Sequence, residues 1–121
     1  MTSGKTVLVL GAGVGGVVAA SLLRKSLPGA KRVVLVEREE NHLFQPSLLW
    51  LMVGWRRPEA IQRPVARLAR RGIEVIRGKV ERIDPARRAA VVNGTELTAD
   101  YLVVALGAEY APETVPGLAP A

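Results

Sequence analysis

The sequence predicts an α/β fold: a mainly parallel sheet with helices, and an antiparallel β-meander inserted before the last strand. Three observations predict it. Short apolar runs alternate with stretches of helical spacing, the pattern of β-α-β units. A glycine-rich turn, Gly11-Ala12-Gly13-Val14-Gly15-Gly16, joins the first apolar run to the first helical stretch. Asn93-Gly94 separates two short strand-like runs, and both positions of such a hairpin turn want positive φ.

Thr6–Leu10 is a short apolar run that reads as the first strand, leading into the glycine turn. A helix follows over Val14–Ser26, with Arg24 and Lys25 in its last turn, where cations suit the dipole, and Pro28-Gly29 as its stop. Residues 33–36 form the second strand, which delivers Glu37. Residues 38–57 lack periodicity and are expected to be irregular, yet they gather His42, Phe44, Pro46, Trp50 and Trp55. Large apolar side chains in a loop need something to cover. Pro58 starts a helical region and Pro64 restarts it at a first-turn position, with Ile61, Val65 and Leu68 at helical spacing and Gly72 as the stop. Residues 73–76 are the third parallel strand, and residues 79–83 are a fourth after a break at Gly78. Asp84-Pro85 turns the chain, and Ala89–Val92 with Thr95–Thr98 make the hairpin of the meander. Residues 101–106 are a buried strand ending at Gly107, and residues 112–121 have the proline and alanine content of a linker or a truncated end.

At 121 residues, 49% hydrophobic and 23% charged, the chain is one folded domain rather than a disordered segment. Its longest apolar stretch, residues 6–20, is broken by glycines and falls short of the roughly 18 residues a bilayer span needs. Residues 1–5 lack the pattern of a secretory signal, so a cytoplasmic chain is expected. There is no cysteine, which excludes a disulfide scaffold, a thiolate metal site and dithiol redox chemistry carried by this chain. The net charge of +6 is spread over pairs such as Arg56-Arg57, Arg70-Arg71 and Arg87-Arg88, without interleaved aromatic residues. That favours solvated faces over a nucleic-acid site.

Gly11, Gly13 and Gly16 form G-x-G-x-x-G between a strand and a helix. The first glycine permits a tight turn, the second lets backbone approach a pyrophosphate, and the third lets helix pack on strand. The helix start offers free N–H groups to phosphate. Glu37 lies 21 positions past Gly16, close to the spacing of about 20 expected of a ribose-binding acid. The unit is thus a Rossmann-like dinucleotide site. Arg38, beside Glu37, leaves open a 2′-phosphate, which Glu37 itself would repel.

Taken together, four segments resemble the flavoprotein disulfide-reductase superfamily, and within it the sulfide:quinone oxidoreductases and the alternative NADH dehydrogenases. They are residues 7–16 with Glu37, residues 42–50, residues 78–85 and residues 100–107. The resemblance implies FAD at this fingerprint, with Gly11, Ala12, Gly13, Val14, Gly15 and Gly16 around the pyrophosphate, Glu37 on the adenosine ribose and Arg38 beside the adenosine. It also implies that backbone around Val80 meets the adenine, that Ala105 and Gly107 pack close to the dinucleotide, and that Pro46 sits near the flavin ring. Leu106 stands where the family usually has threonine, so one hydroxyl contact is lost. His42-Leu43-Phe44-Gln45-Pro46 is similar to the NADH dehydrogenases, whereas Trp50, Val53-Gly54-Trp55 and Arg57-Pro58-Glu59 are similar to the sulfide enzymes, which are favoured.

Family members are roughly three times as long, with the redox cysteines of the sulfide enzymes beyond the part this chain resembles. The chain is therefore expected to be the cofactor-binding part of an enzyme that takes two electrons from sulfide and passes them to a membrane quinone, and by itself to bind nucleotide without turnover. Its expected partners are FAD and either the remainder of the parent flavoenzyme or a second copy. Quinone and the inner membrane face would be met only through the parent. A non-catalytic NAD-binding module and a basic interaction domain without cofactor are the competing classes. His42 invites a proton-relay reading, but a lone loop histidine more often makes a local hydrogen bond. Glu39 and Glu40 are surface charge, and Trp50 and Trp55 cover either a ring system or an interface.

Overall fold

The computed structural model describes residues 4–27 and 31–119, so the expected stop at Pro28-Gly29 lies outside the described residues. Strand β1 (Thr6–Leu10) leads into helix α1 (Val14–Ser26), and β2 (Arg32–Glu37) returns parallel to β1. β3 (Asn41–Leu43), a 3-10 helix (Gln45–Ser47) and the short helix α2 (Leu48–Met52) follow. Next come a 3-10 helix (Pro58–Ile61), β4 (Gln62–Pro64), a 3-10 helix (Val65–Arg71) and β5 (Glu74–Arg77). β6 (Val80–Asp84), β7 (Ala89–Val92) and β8 (Thr95–Thr98) make the meander before β9 (Tyr101–Val104). A 3-10 turn (Pro112–Thr114) lies in the tail.

The main sheet is parallel with strand order β5-β2-β1-β9. Successive side chains of β1 and β2 point to opposite faces, and both faces are covered. Val7, Val9, Val33 and Leu35 pack with Ala20 of α1 and with Val65 and Ile73. Leu8, Leu10, Val34 and Val36 pack with Ala90 and Val92 of the meander. This double covering is why the buried residues of β1 and β2, 7–10 and 33–36, are all apolar.

Four expectations change. Residues 38–57 are not irregular throughout: β3 pairs antiparallel with β4, with His42 opposite Arg63, and residues 45–52 are helical. Neither three-residue strand is long enough to show periodicity, and Gln62-Arg63-Pro64 carries no strand propensity. The segment between Pro64 and Gly72 is a 3-10 helix with Pro64 at its cap, and its i, i+3 spacing places Val65 and Leu68 on one face against the core. Residues 79–83 do not extend the parallel sheet. β6 pairs antiparallel with β7, and its mixture of inward Val80 and Ile83 with exposed Glu81 and Arg82 suits a strand buried on one face. Finally, β9 joins the parallel sheet as expected but is only partly covered. It pairs with β1 at the sheet edge, with Tyr101 53% and Val104 55% exposed.

The aromatic segment is also open to solvent. No residue of α2 is buried, and Trp50 stacks on Trp55 at 5.1 Å between ring centroids.

Candidate functional site: a dinucleotide cleft at the carboxyl ends of the strands

Ligands of open α/β sheets bind beyond the carboxyl ends of the strands. Here β1 ends at Leu10, and its glycine turn is tied to both neighbouring strands. The Gly11 N–H donates to the Val36 carbonyl at 2.8 Å, and the Ala105 N–H donates to the Leu10 carbonyl at 2.8 Å.

The fingerprint glycines answer to different constraints. Gly11 has φ +97°, and a Cβ there would lie 2.3 Å from the Ala105 carbonyl oxygen. A Cβ on Gly16 would lie 1.7 Å from the Gly11 carbonyl oxygen, so α1 crosses the turn too closely for any side chain. Both are demanded by the protein's own packing. Gly13 is not: its φ is −69°, and a Cβ would meet nothing within 4 Å. The space beside Gly13 lies at the N-terminus of a 13-residue helix with no side-chain cap and no acidic residue in its first turn. The first helical N–H groups have no partners inside the helix, and they face this end with the positive pole of the dipole. A cradle of donors without a side chain fits a pyrophosphate.

Glu37 stands at the end of β2 with both oxygens engaged. Oε2 accepts from the Ala12 N–H at 2.6 Å, and Oε1 accepts from the Glu39 N–H at 3.0 Å. A carboxylate carries about four acceptor sites, so each oxygen keeps one for a ribose hydroxyl. Arg38 is paired with Glu109 from the segment after β9 and with Glu39 at 3.3 Å. Its guanidinium is held above its ordinary value, first by the hydrogen bond to Glu109 and then by attraction to that carboxylate. A cation shared between two carboxylates and next to a third is a poor receptor for a 2′-phosphate.

The cleft has two adjoining lobes. One, of about 380 Å³, runs from Gly11, Gly13 and Glu37 to Arg38, Lys79 and Val80. The other, of about 620 Å³, runs from the same glycines along Val14, Gly15 and Ala105 to Leu43, Gln45 and Tyr110. Gly107 lines both. An elongated cleft bent around a helix N-terminus suits a dinucleotide better than a compact metabolite.

The structure therefore brings Gly11, Gly13, Val14, Gly15, Glu37, Arg38, Val80, Ala105 and Gly107 to one cleft. Ala12 is buried and meets the site only through its N–H, which donates to Glu37, and Gly16 lies beneath the turn as packing. Pro46 opens instead onto a neighbouring cleft of about 430 Å³ with Phe44, Trp50, Arg56 and Arg63. Sequence reasoning did not find Glu109 or Lys79. An acidic residue soon after Gly107 was the available signal for Glu109, but its partner Arg38 follows β2, far away in the chain. No group of side chains able to hold a metal ion occurs among the described residues, nor does a helix long and apolar enough to cross a membrane.

One substitution separates the site from the fold. Gly13→Asp places a favourable capping carboxylate at the helix start, so the melting temperature should stay level or rise, by the equivalent of up to about 1 kcal/mol. The same carboxylate occupies the phosphate position and repels it. Calorimetric titration with ADP should show binding at least about 100-fold weaker than in the parent chain, roughly 2.7 kcal/mol.

Comparison with known proteins agrees with this geometry. A family model described as pyridine nucleotide-disulphide oxidoreductase matches residues 5–121. A sulfide-quinone reductase of Aquifex aeolicus is 39% identical over 85% of this chain and 24% of its own length. The solved structure of the sulfide:quinone oxidoreductase from Aquifex aeolicus superposes with a TM-score of 0.82 at 36% identity, over 88% of this chain and 25% of that one. An alternative NAD(P)H-ubiquinone oxidoreductase of Arabidopsis thaliana is 33% identical over 92% of this chain and 25% of its own length. The chain thus spans about a quarter of the length of the curated relatives it matches, a smaller share than the one third the sequence suggested.

Proposed function

The chain belongs to the pyridine nucleotide-disulphide oxidoreductase family, and from that membership we propose that it is the FAD-binding portion of a sulfide:quinone oxidoreductase-type flavoenzyme. The observation that carries the cofactor assignment is Gly13. Its missing side chain serves nothing in the protein's own packing, and it faces the start of α1 beside a carboxylate with two acceptor sites to spare. The higher identity to the Aquifex aeolicus sulfide-quinone reductase favours that type over the NADH-quinone type.

On this reading the residues present have defined work. The N–H groups at the start of α1 hold the pyrophosphate, and Glu37 accepts from the adenosine ribose. Backbone at Val80 borders the adenine end, and Ala105 and Gly107 allow close approach along the dinucleotide. When bound, FAD supplies two-electron transfer between the donor and the quinone. With no cysteine, this chain contributes binding and orientation of the cofactor; sulfide, quinone and membrane contacts are functions of the whole enzyme.

Titration of the purified chain with FAD, NAD and NADPH tests the assignment. Saturable binding is expected with FAD, weaker binding with NAD, and the weakest with NADPH because Arg38 is already shared by Glu109 and Glu39. Equal or tighter binding of NAD would instead support a nicotinamide module, and binding of none of the three would leave the fingerprint as a structural element.

A further inference from the structure

The imidazole of His42 lies against the glycine turn without lining the cofactor cleft. Its Nδ1 is 2.8 Å from the Ala12 carbonyl oxygen. A carbonyl oxygen can only accept, so Nδ1 carries the proton and donates it. His42 borders two other clefts, one with Phe44 and Trp50 and the other with Val17 and Val65, and lines neither lobe of the dinucleotide cleft. β3 fixes it there, through pairing of His42 with Arg63 of β4.

The Ala12 carbonyl and the Gly13 N–H belong to the same trans peptide, in which C=O and N–H point in opposite directions. Holding the carbonyl toward His42, which lines neither lobe, aims the Gly13 N–H the other way, toward the cleft that Gly13 lines. Glu37 fixes the preceding peptide through the Ala12 N–H at 2.6 Å. Two side chains thus clamp two successive peptides of a turn whose glycines would otherwise allow the second peptide to flip. A flip would present a carbonyl oxygen to the phosphates in place of a donor.

We propose that His42 is a positioning residue for the cofactor's pyrophosphate, holding the Ala12–Gly13 peptide in the donor orientation. The inference rests on the FAD assignment above and adds to it a residue outside the cleft. It also gives the lone histidine a long-range role in place of a proton relay or a local hydrogen bond.

The test uses the full chain and compares FAD, ADP and adenosine by calorimetry. In His42→Ala, affinity for FAD and ADP should fall about 10-fold while affinity for adenosine, which has no phosphate, stays unchanged. In His42→Asn, whose Nδ2 occupies the place of Nδ1, ADP affinity should return to within about threefold of the parent. Nitrogen NMR of the single imidazole should show the proton on Nδ1 in the unsubstituted chain, whatever the stability of the variants. Equal loss for adenosine and ADP, an unchanged His42→Ala, no recovery in His42→Asn, or a neutral imidazole protonated on Nε2 would each overturn the proposal and leave the FAD assignment standing. Failure of the unsubstituted chain to bind FAD or ADP would overturn both.

Discussion

Gly16→Ala is expected to bring the chain close to unfolding: a loss of about 3 kcal/mol or more, from a domain whose total is typically about 5–15 kcal/mol. The new Cβ would lie 1.7 Å from the Gly11 carbonyl oxygen and 2.7 Å from its carbonyl carbon, both backbone atoms that no rotamer change can move. Either α1 shifts away from β1 or the turn opens, and each disturbs the cluster in which Ala20 and Leu35 are fully buried. Overpacking against backbone is among the costliest single changes. In thermal denaturation the midpoint should drop by at least about 10 °C. Gly15→Ala is the matched control. The same helix, one residue earlier, has nothing within 4 Å of a Cβ, so alanine should leave the midpoint level or raise it through helix propensity by up to about 1 kcal/mol. A Gly16→Ala chain as stable as the parent would mean that α1 does not cross the turn as described.

Glu37→Ala should show the second large effect, on binding more than on folding. Two hydrogen bonds from ribose hydroxyls to a charged acceptor are together worth roughly 3 kcal/mol, so FAD affinity should fall about 100-fold. Stability should also fall, by about 1–2 kcal/mol, because the Ala12 N–H sits in a buried residue and loses its acceptor at 2.6 Å. Glu37→Gln distinguishes the two roles. Its amide oxygen can still accept from one backbone N–H, so the melting temperature should stay near the parent's while FAD affinity drops about 10-fold, near 1.4 kcal/mol. Calorimetric titration and melting curves on both variants check this. FAD affinity surviving in Glu37→Ala would remove the ribose contact from the site.

Much of this site was legible because its requirements are local. Thr6–Leu10, the glycine turn and Val14–Ser26 form one uninterrupted stretch, and α1 has the bounds its spacing predicts. Glu37 was found by its distance from Gly16, which reflects the fixed length of a helix and its return strand. The meander was announced by Asn93-Gly94, whose φ values of 47° and 76° are those its hairpin turn demands. Where the sequence misled, the deciding partner was distant or the segment short. Residues 79–83 were placed in the parallel sheet because their apolar content does not reveal which neighbour they pair with. β9 reads as buried from its composition, but exposure depends on what lies beyond its edge.

By itself the sequence determined the β-α-β unit, its glycine turn and the carboxylate beside that turn. Backbone conformation and helix packing place their demands on neighbouring residues, and these demands leave a pattern. Only the tertiary structure decided that β3 pairs with β4, that Arg38 is claimed by Glu109, and that His42 reaches the Ala12 carbonyl. These contacts join residues far apart in the chain. They depend on which strand ends meet at the sheet's edge and on side-chain reach, and neither leaves a periodic trace in the order of amino acids.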